Sequence, residues 1–318
     1  MKFKFFNISV LVVLLTVISH DIAKPIPPEE EKKFLTIEEL DKSREFDVTL
    51  QIKPSETNSA ITYWDSVHVV FYNPQIVNNK IMLWLGGTGG IPKRVGTPFF
   101  KVALEHKYRV IQLSYISRPA GTAVCAAPTL YPTCYEDFRQ ARAYGDVSLP
   151  TIPDQPHDAI IPRFVKLLQY LDTTDPRGEW GNYLDGDNLR WDKICIAGQS
   201  MGGGMGLYIA KKEKVDRVIA FSGGWDVKSV KPRVIAVWYS SPGVTPGNRL
   251  YGVYHAQEAL AGVLAQLYPA CDIPESQIYR LDEPLRNPNA RGRNPYHGEG
   301  ISNPVYKPIW ETMLGSGI

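Results

Sequence analysis

The stretch that decides the fold is Lys193-Ile-Cys-Ile-Ala-Gly198-Gln-Ser200-Met-Gly202-Gly-Gly-Met-Gly-Leu-Tyr-Ile-Ala-Lys211. An apolar run rich in β-branched residues, 194–197, leads into it, and a segment compatible with a helix, 205–212, leaves it. Between them stands Gly198-x-Ser200-x-Gly202. A sharp strand-to-helix turn needs small neighbours around its central residue, because a Cβ there would collide with the adjoining strand or helix. The pattern therefore predicts that Ser200 is a nucleophile on such a turn.

The helix predicted after Ser200 would point its N-terminus at the serine. That end of a helix carries free N–H groups and partial positive charge. We therefore expect the Met201 N–H to hold an oxyanion that develops beside Ser200. The alternative is a glycine-rich turn of a nucleotide-binding fold, but neither the dinucleotide nor the phosphate-loop glycine pattern is present in this stretch.

The first 19 residues of the 318 are typical of a secretory signal peptide. Lys2 and Lys4 form a charged start, 8–18 is apolar, and Ser19 offers a small residue for cleavage. The apolar run is shorter than the about 20 residues that a membrane span needs. Residues 20–45, rich in Pro, Glu and Lys, are expected to form a polar leader. We therefore predict an exported protein, secreted or periplasmic, with no membrane span after signal removal and a single domain over 46–318.

The charge of the exported chain is balanced. Without Lys2 and Lys4, the 35 basic residues become 33, against 33 acidic residues. No basic patch of the kind that nucleic acid requires is visible, so the expected partner is a small molecule. The six histidines and four cysteines lack paired zinc-ligand spacing, and the sequence implies no metal and no cofactor.

The four cysteines are expected to differ in state. Cys125 and Cys134 lie in one segment rich in Pro, Gly and Ala, and we predict that they form a disulfide, which export permits. Cys195 lies in the strand before Ser200 and is expected to be a buried free thiol. Cys271 is either free or bonded to Cys195, which requires a geometry that sequence cannot show.

Strand-like and helix-like segments alternate along the chain. This alternation predicts one α/β domain with a mostly parallel central sheet of about eight strands and helices on both faces. The segment 116–156 is expected to be irregular. Two segments, 233–239 and 249–255, compete for the penultimate strand. The other predicted strands are 46–52, 67–72, 80–85, 108–115, 194–197, 216–221 and 277–282, and the predicted helices are 98–106, 160–171, 256–268 and 309–314.

From about Phe46 to its end, the chain resembles the α/β-hydrolase superfamily. The resemblance is carried by Gly198-Gln-Ser-Met-Gly202, by Gly86-Gly-Thr-Gly-Gly90 and by a downstream histidine. It is closest to little-characterised, secreted, serine esterase-like members, which have a Thr-Pro loop and a Tyr-Gly strand, here Thr245-Pro246 and Tyr251-Gly252. The resemblance implies a catalytic triad in the order nucleophile, acid, histidine.

Two histidines, His255 and His297, follow Ser200 in the sequence. A general base must reach over the serine from a loop beyond the last strand. His297 follows the predicted strand 277–282 and lies among glycines, so it is the expected base. His255 ends an apolar strand and is expected to be a supporting histidine.

The acid and the oxyanion hole follow from the same resemblance. Glu258 is the expected acid because it stands just past 249–255, and Asp226 is the alternative. The second half of the oxyanion hole is expected from Gly87 and Thr88 in the glycine-rich turn. Leu85 stands where one lipase subgroup has a histidine.

These residues predict a secreted serine hydrolase that cleaves carboxylic ester or related acyl bonds through an acyl-enzyme intermediate. One alternative is a binding protein that keeps the fold but has lost part of the catalytic set, because fold alone never establishes activity. Another is a peptidase or acyltransferase with the same triad.

Overall fold

The main feature of the fold is an eight-stranded sheet. The computed structural model describes residues 48–93, 97–126 and 131–318, so the predicted signal peptide and polar leader lie outside the described residues. The strands of the sheet are β1 (Val48–Ile52), β2 (His68–Tyr72), β3 (Ile81–Leu85), β4 (Arg109–Leu113), β5 (Ile194–Gln199), β6 (Arg217–Phe221), β7 (Leu250–His255) and β8 (Ile278–Leu281).

The strand order across the sheet is β1-β2-β4-β3-β5-β6-β7-β8. β2 is antiparallel to β1 and β4, and every other pair in the sheet is parallel. β3 and β5 are neighbours, so their carboxyl ends lie side by side at one edge of the sheet. This order is that of the α/β-hydrolase sheet, and the predicted fold class is confirmed.

Helices cover both faces of the sheet. α1 and α6 pack on one face, and α2 to α5 pack on the other. Their bounds are α1 (Pro98–Glu105), α2 (Cys134–Tyr144), α3 (Ile160–Thr174), α4 (Met201–Lys212), α5 (Ala261–Ala270) and α6 (Lys307–Leu314), with one-turn helices at Pro54–Thr57, Gly121–Val124 and Glu299–Ser302. None of the described helices is both long and apolar enough to cross a membrane.

In the central strands, alternate residues pack into two different hydrophobic cores, one on each face of the sheet. In β3, Ile81, Leu83 and Leu85 pack under α2 to α5, while Met82 and Trp84 pack under α1 and α6. All five are buried. Strands buried on both faces read as continuous apolar runs, which is why they were visible in the sequence.

The penultimate strand of the sheet is β7, at 250–255. Its parallel pairing with β6 places Leu250 opposite Val218. The competing segment is not in the main sheet: Arg233–Ile235 pairs antiparallel with Val227–Val230 in a separate hairpin. Another small hairpin joins Leu184–Asp185 to Asn188–Leu189.

The prediction that the segment 116–156 is irregular is wrong in part, because this segment contains α2 and the one-turn helix Gly121–Val124. The inner face of α2 carries Phe138 and Ala141, but also Arg139 and Arg142, which are almost fully buried. Both arginines pair with buried carboxylates. These inward charges break the apolar periodicity that would have identified the helix.

The predicted disulfide is present. Cys125 and Cys134 are bonded with their Cα atoms 5.7 Å apart, which ties the one-turn helix Gly121–Val124 to the start of α2. Cys195 and Cys271 are both free and buried. Burial raises the pKa of each of these thiols to about 12, so neither is a reactive thiolate near neutral pH.

Candidate active site

Ser200 occupies the sharp turn between β5 and α4. Its backbone has φ 55° and ψ −120°, a conformation that non-glycine residues rarely adopt. Three hydrogen bonds hold it there: the Ser200 N–H donates to the Phe221 carbonyl (2.8 Å), and the Ser200 carbonyl accepts from Gly204 (3.1 Å) and Gly224 (3.2 Å). The strained serine is therefore anchored to α4 and to the end of β6.

The glycines on either side of Ser200 are required by close backbone contacts. A Cβ on Gly202 would lie 2.0 Å from the carbonyl oxygen of Leu85, and one on Gly198 would lie 2.5 Å from the carbonyl carbon of Gly202. Both distances are far below van der Waals contact. The Gly-x-Ser-x-Gly pattern therefore has the steric cause inferred from the sequence.

The glycine-rich turn after β3 lies against the serine. An ideal Cβ on Gly87 would be 3.2 Å from the Ser200 Cβ. Within the described parts of the chain, the backbone N–H groups of Gly87, Thr88 and Met201 have no hydrogen-bond acceptor. All three residues line the same cavity as Ser200. The structure thus brings together the residues predicted to form an oxyanion hole, whose role remains a prediction.

His297 reaches this cavity from a turn beyond β8, at Pro295–Gly298. Its Nδ1 lies 2.8 Å from Oε2 of Glu258. The Gln199 side-chain amide donates to the His297 carbonyl (2.9 Å), which fixes the turn next to the residue that precedes Ser200. The Trp225 ring lies against the imidazole, with 4.9 Å between centroids.

Glu258 follows β7 and is almost completely buried, with 1% of its side chain exposed. Its Oε1 accepts hydrogen bonds from the Ser222 hydroxyl (2.5 Å) and from the His255 N–H (2.9 Å), while Oε2 contacts His297. Three donors therefore face one carboxylate, which compensates its burial. An ionised Glu258 requires a proton on His297 Nδ1, which leaves Nε2 as an acceptor.

The carboxylate of Asp226, the alternative acid, forms its contacts with Arg139 and Trp238. It forms a buried bidentate ion pair with Arg139 (2.8 and 2.9 Å) and accepts from Trp238 Nε1 (2.9 Å). Among the described contacts of its carboxylate, none goes to His297. The geometry therefore favours Glu258 over Asp226 as the partner of the imidazole.

Arg139 forms a hydrogen bond to the residue that follows Ser200. Its Nη1 donates to the Met201 carbonyl at 3.0 Å. Burial by itself would lower the pKa of Arg139, but the charge and hydrogen bonds of Asp226 raise it above its ordinary value. Arg139 and Asp226 thus form a fixed ion pair next to the first turn of α4. Neither this ion pair nor the Ser222 hydroxyl could be identified from the sequence, because only the tertiary structure brings these groups to the site.

His255 has a supporting role. Its Nδ1 accepts from the Gln257 N–H (3.1 Å), so Nε2 carries the proton and donates to the Glu283 carbonyl (2.8 Å). The ring stacks on Tyr296, with centroids 4.3 Å apart. Both ring nitrogens of His255 therefore form hydrogen bonds that stabilise the loops around Glu258 and His297.

The cavity above Ser200 has a volume of about 520 Å³. Besides the residues already described, its wall includes Thr122, Leu260, Arg293 and Asn294. Within 48–93, 97–126 and 131–318, no group of three or more His, Cys, Asp or Glu side chains is arranged to hold a metal ion. The arrangement can present a hydroxyl, an imidazole paired with a carboxylate, and backbone N–H donors to one bound molecule.

Comparison with known proteins gives likenesses to solved structures. No protein-family model and no curated protein sequence matches the chain. One similar structure is a fluorophosphonate-binding serine hydrolase of Staphylococcus aureus (13% identity, 85% of this chain and 98% of that chain covered, TM-score 0.45). Others are a dienelactone hydrolase from Anabaena variabilis (13%, 85% and 99%, 0.44) and an S-formylglutathione hydrolase of S. aureus (13%, 84% and 96%, 0.43).

The evidence for the fold is the strand order and the strained serine between β5 and α4. By these two features, the chain has the α/β-hydrolase fold.

Proposed function

We propose that this protein is a serine hydrolase that cleaves carboxylic ester bonds. One observation carries the proposal: Glu258 lies 2.8 Å from Nδ1 of an imidazole that lines the same cavity as the strained Ser200. A buried carboxylate paired with such a histidine is the arrangement that activates a serine hydroxyl.

In the proposed reaction, His297 Nε2 takes the proton of the Ser200 hydroxyl as Oγ attacks the ester carbonyl carbon. The C=O electron pair moves to oxygen, and the N–H groups of Met201, Gly87 and Thr88 hold that oxyanion. When the oxyanion collapses, the ester C–O bond breaks and the leaving alcohol takes the proton from His297. Water then attacks the acyl-enzyme by the same steps and releases the acid.

Glu258 stabilises the imidazolium that forms in each step. Its Oε2 faces Nδ1, and its other oxygen is held by Ser222 and the His255 N–H. The carboxylate therefore cannot rotate away without breaking two hydrogen bonds. We expect it to remain ionised while the imidazole carries the transferred proton.

Export is part of the proposal. The disulfide Cys125–Cys134, of a kind that persists in oxidising compartments, and the signal-like residues 1–19 support export. Cleavage of the exported product after Ser19, read by N-terminal sequencing, tests this, and a product that retains Met1 and stays in the cytosol contradicts it.

The function is tested with p-nitrophenyl butyrate and the purified protein. We expect turnover by wild type and a loss of about 10⁶-fold in kcat for Ser200→Ala, the scale seen when a triad serine is removed. Ser240→Ala, at an exposed serine outside the cavity, is the matched control and should keep wild-type turnover. Equal turnover by wild type and Ser200→Ala would exclude Ser200 as the nucleophile.

The same variants separate the alternatives. A binding protein without catalysis would show no Ser200-dependent turnover of any acyl substrate. The Glu258–His297 contact argues against such a loss, because it keeps the imidazole in the required tautomer. Matched p-nitroanilide and peptide substrates distinguish an esterase from a peptidase, and added alcohols detect acyl transfer.

A further inference from the structure

One ionic side chain on the wall of the Ser200 cavity has no ionic partner among the residues that the structure describes. Three ionic side chains line this wall besides His297: Arg139, Asp226 and Arg293. Arg139 and Asp226 neutralise one another in a buried bidentate pair. Arg293 is exposed, and within the described residues its side chain makes no ion pair and no hydrogen bond. Among the ionic side chains that line the wall, Arg293 is therefore the one without a partner, while the ionised Glu258 lies buried behind His297.

The next residue, Asn294, adds donors at the same place. Its Oδ1 accepts the Ala259 N–H at 3.1 Å, so the oxygen and nitrogen of this amide are distinguished by the bond. The two N–H bonds of Nδ2 then remain, and no acceptor for them occurs in the described parts of the chain. Asn294 also lines the cavity, so two consecutive residues with side-chain N–H donors border it.

This wall is fixed relative to the reacting groups. Asn294 precedes the turn that carries His297, and its carbonyl accepts the His297 N–H at 3.2 Å. The Gln199 side chain ties the same turn to the residue before Ser200. A group bound at Arg293 and Asn294 therefore lies at a defined position relative to the imidazole and the serine.

We infer that Arg293 and Asn294 form a subsite for a carboxylate group of the substrate, so that the preferred substrates are esters that carry a negative charge. The inference rests on the proposed function and deepens it. A guanidinium and an amide NH₂ group together offer the planar donor arrangement that a carboxylate accepts. The carboxylate belongs to the acyl part or to the alcohol part of the ester, and the two sources are separated by experiment.

The test compares charged and neutral esters of equal shape. For the acyl part, p-nitrophenyl hydrogen adipate is compared with its carboxamide. For the alcohol part, 4-carboxyphenyl butyrate is compared with 4-carbamoylphenyl butyrate. We expect kcat/KM to favour the carboxylate in one of the two pairs by about tenfold, the effect of one partly solvated charged contact. Raising the salt concentration should reduce this preference.

Arg293→Gln should abolish the preference, because it should lower kcat/KM for the carboxylate ester by about tenfold more than for the neutral ester of the same pair. Arg291→Gln is the matched control, because Arg291 is an exposed arginine of the same loop that does not line the cavity. Its Nη1 donates to the carbonyls of Pro288 and Ala290. If Arg293→Gln and Arg291→Gln lose the preference equally, the preference arises from the general positive charge of the loop, and the subsite is wrong. The subsite is also wrong if neither ester pair shows a preference for the carboxylate.

Binding to Ser200→Ala separates the subsite from catalysis. Calorimetry with the preferred carboxylate ester should show affinity that falls about tenfold when Arg293→Gln is added. If wild type hydrolyses neutral esters but no preference or binding difference exists, the subsite is wrong and the proposed function stands. If no ester is hydrolysed and neither carboxylate ester binds, both are wrong.

Discussion

Replacing Glu258 by glutamine is expected to remove most activity and leave the fold intact. Oε1 of Glu258 accepts from both Ser222 and the His255 N–H, and Oε2 faces His297 Nδ1. The one carbonyl oxygen of a glutamine can serve both donors at the Oε1 position. Its NH₂ group then faces Nδ1 and can only donate. His297 must carry its proton on Nε2, where it cannot act as a base toward Ser200.

The size of this effect follows from the tautomer. In Ser-His-Asp enzymes, an amide in place of the triad carboxylate lowers kcat by about 10⁴, which is about 5.4 kcal/mol in the activation free energy. We expect Glu258→Gln to lose about as much kcat with p-nitrophenyl butyrate. Its free energy of unfolding in urea should stay within about 1 kcal/mol of wild type, because the two Oε1 hydrogen bonds are kept.

Asp226→Asn is the matched control, since it also replaces a buried carboxylate by an amide. This substitution removes the negative charge that pairs with Arg139. Breaking a buried ion pair in this way costs about 3–5 kcal/mol of stability. The folded protein should keep kcat within about tenfold of wild type. Glu258 is not the triad acid if Glu258→Gln retains kcat, or if Asp226→Asn loses activity without losing stability.

Three further predictions concern the fold. Burial, with a smaller contribution from a nearby arginine, lowers the pKa of His68 from 6.5 to about 3, so the unfolded chain binds the extra proton between these pH values. The free energy of unfolding should therefore fall on acidification below pH 6.5 by about 1.4 kcal/mol per pH unit more than in His68→Asn. Removing the disulfide in the double variant Cys125→Ala/Cys134→Ala, a sequence separation of 9, should cost about 2–3 kcal/mol in urea unfolding. Gly202→Ala should abolish soluble folding, judged by circular dichroism, because its Cβ would lie 2.0 Å from the Leu85 oxygen.

Each of these predictions has a control in the chain. His157→Asn, at a histidine whose side chain is 35% exposed, is the control for loss of a histidine, and its urea unfolding is compared with that of His68→Asn at each pH. A reductant should destabilise wild type and leave the double cysteine variant unaffected. Gly298→Ala adds a Cβ where no atom of the described residues lies within 4 Å, and it should fold normally. Equal behaviour of a variant and its control would contradict the corresponding argument.

The serine turn and the strands could be predicted because their causes are local. The clash of a Gly202 Cβ with Leu85 arises wherever a strand turns sharply into a helix, so the glycine spacing itself carries the information. Buried parallel strands are continuous apolar runs such as 81–85 and 194–197. The histidine was predictable because only His255 and His297 follow Ser200 in the sequence.

The choice between carboxylates depends on tertiary contacts. Glu258 and Asp226 both follow strands, and the sequence does not show that Arg139 pairs with Asp226. Arg139 lies on α2, whose buried arginines give the segment a polar composition. The strand choice was ambiguous for a similar reason: 233–239 and 249–255 are comparable runs, and parallel pairing with β6 selects the second.

The proposal that Ser200 is activated by His297 is tested most directly by covalent labelling. The protein is treated with a fluorophosphonate, and the modified residue is mapped by peptide mass spectrometry. We expect one adduct per chain, located on Ser200, with a labelling rate reduced by about 10³-fold or more in His297→Ala and unchanged in His157→Ala. An adduct on another residue, or equal labelling rates in the two histidine variants, would contradict the account.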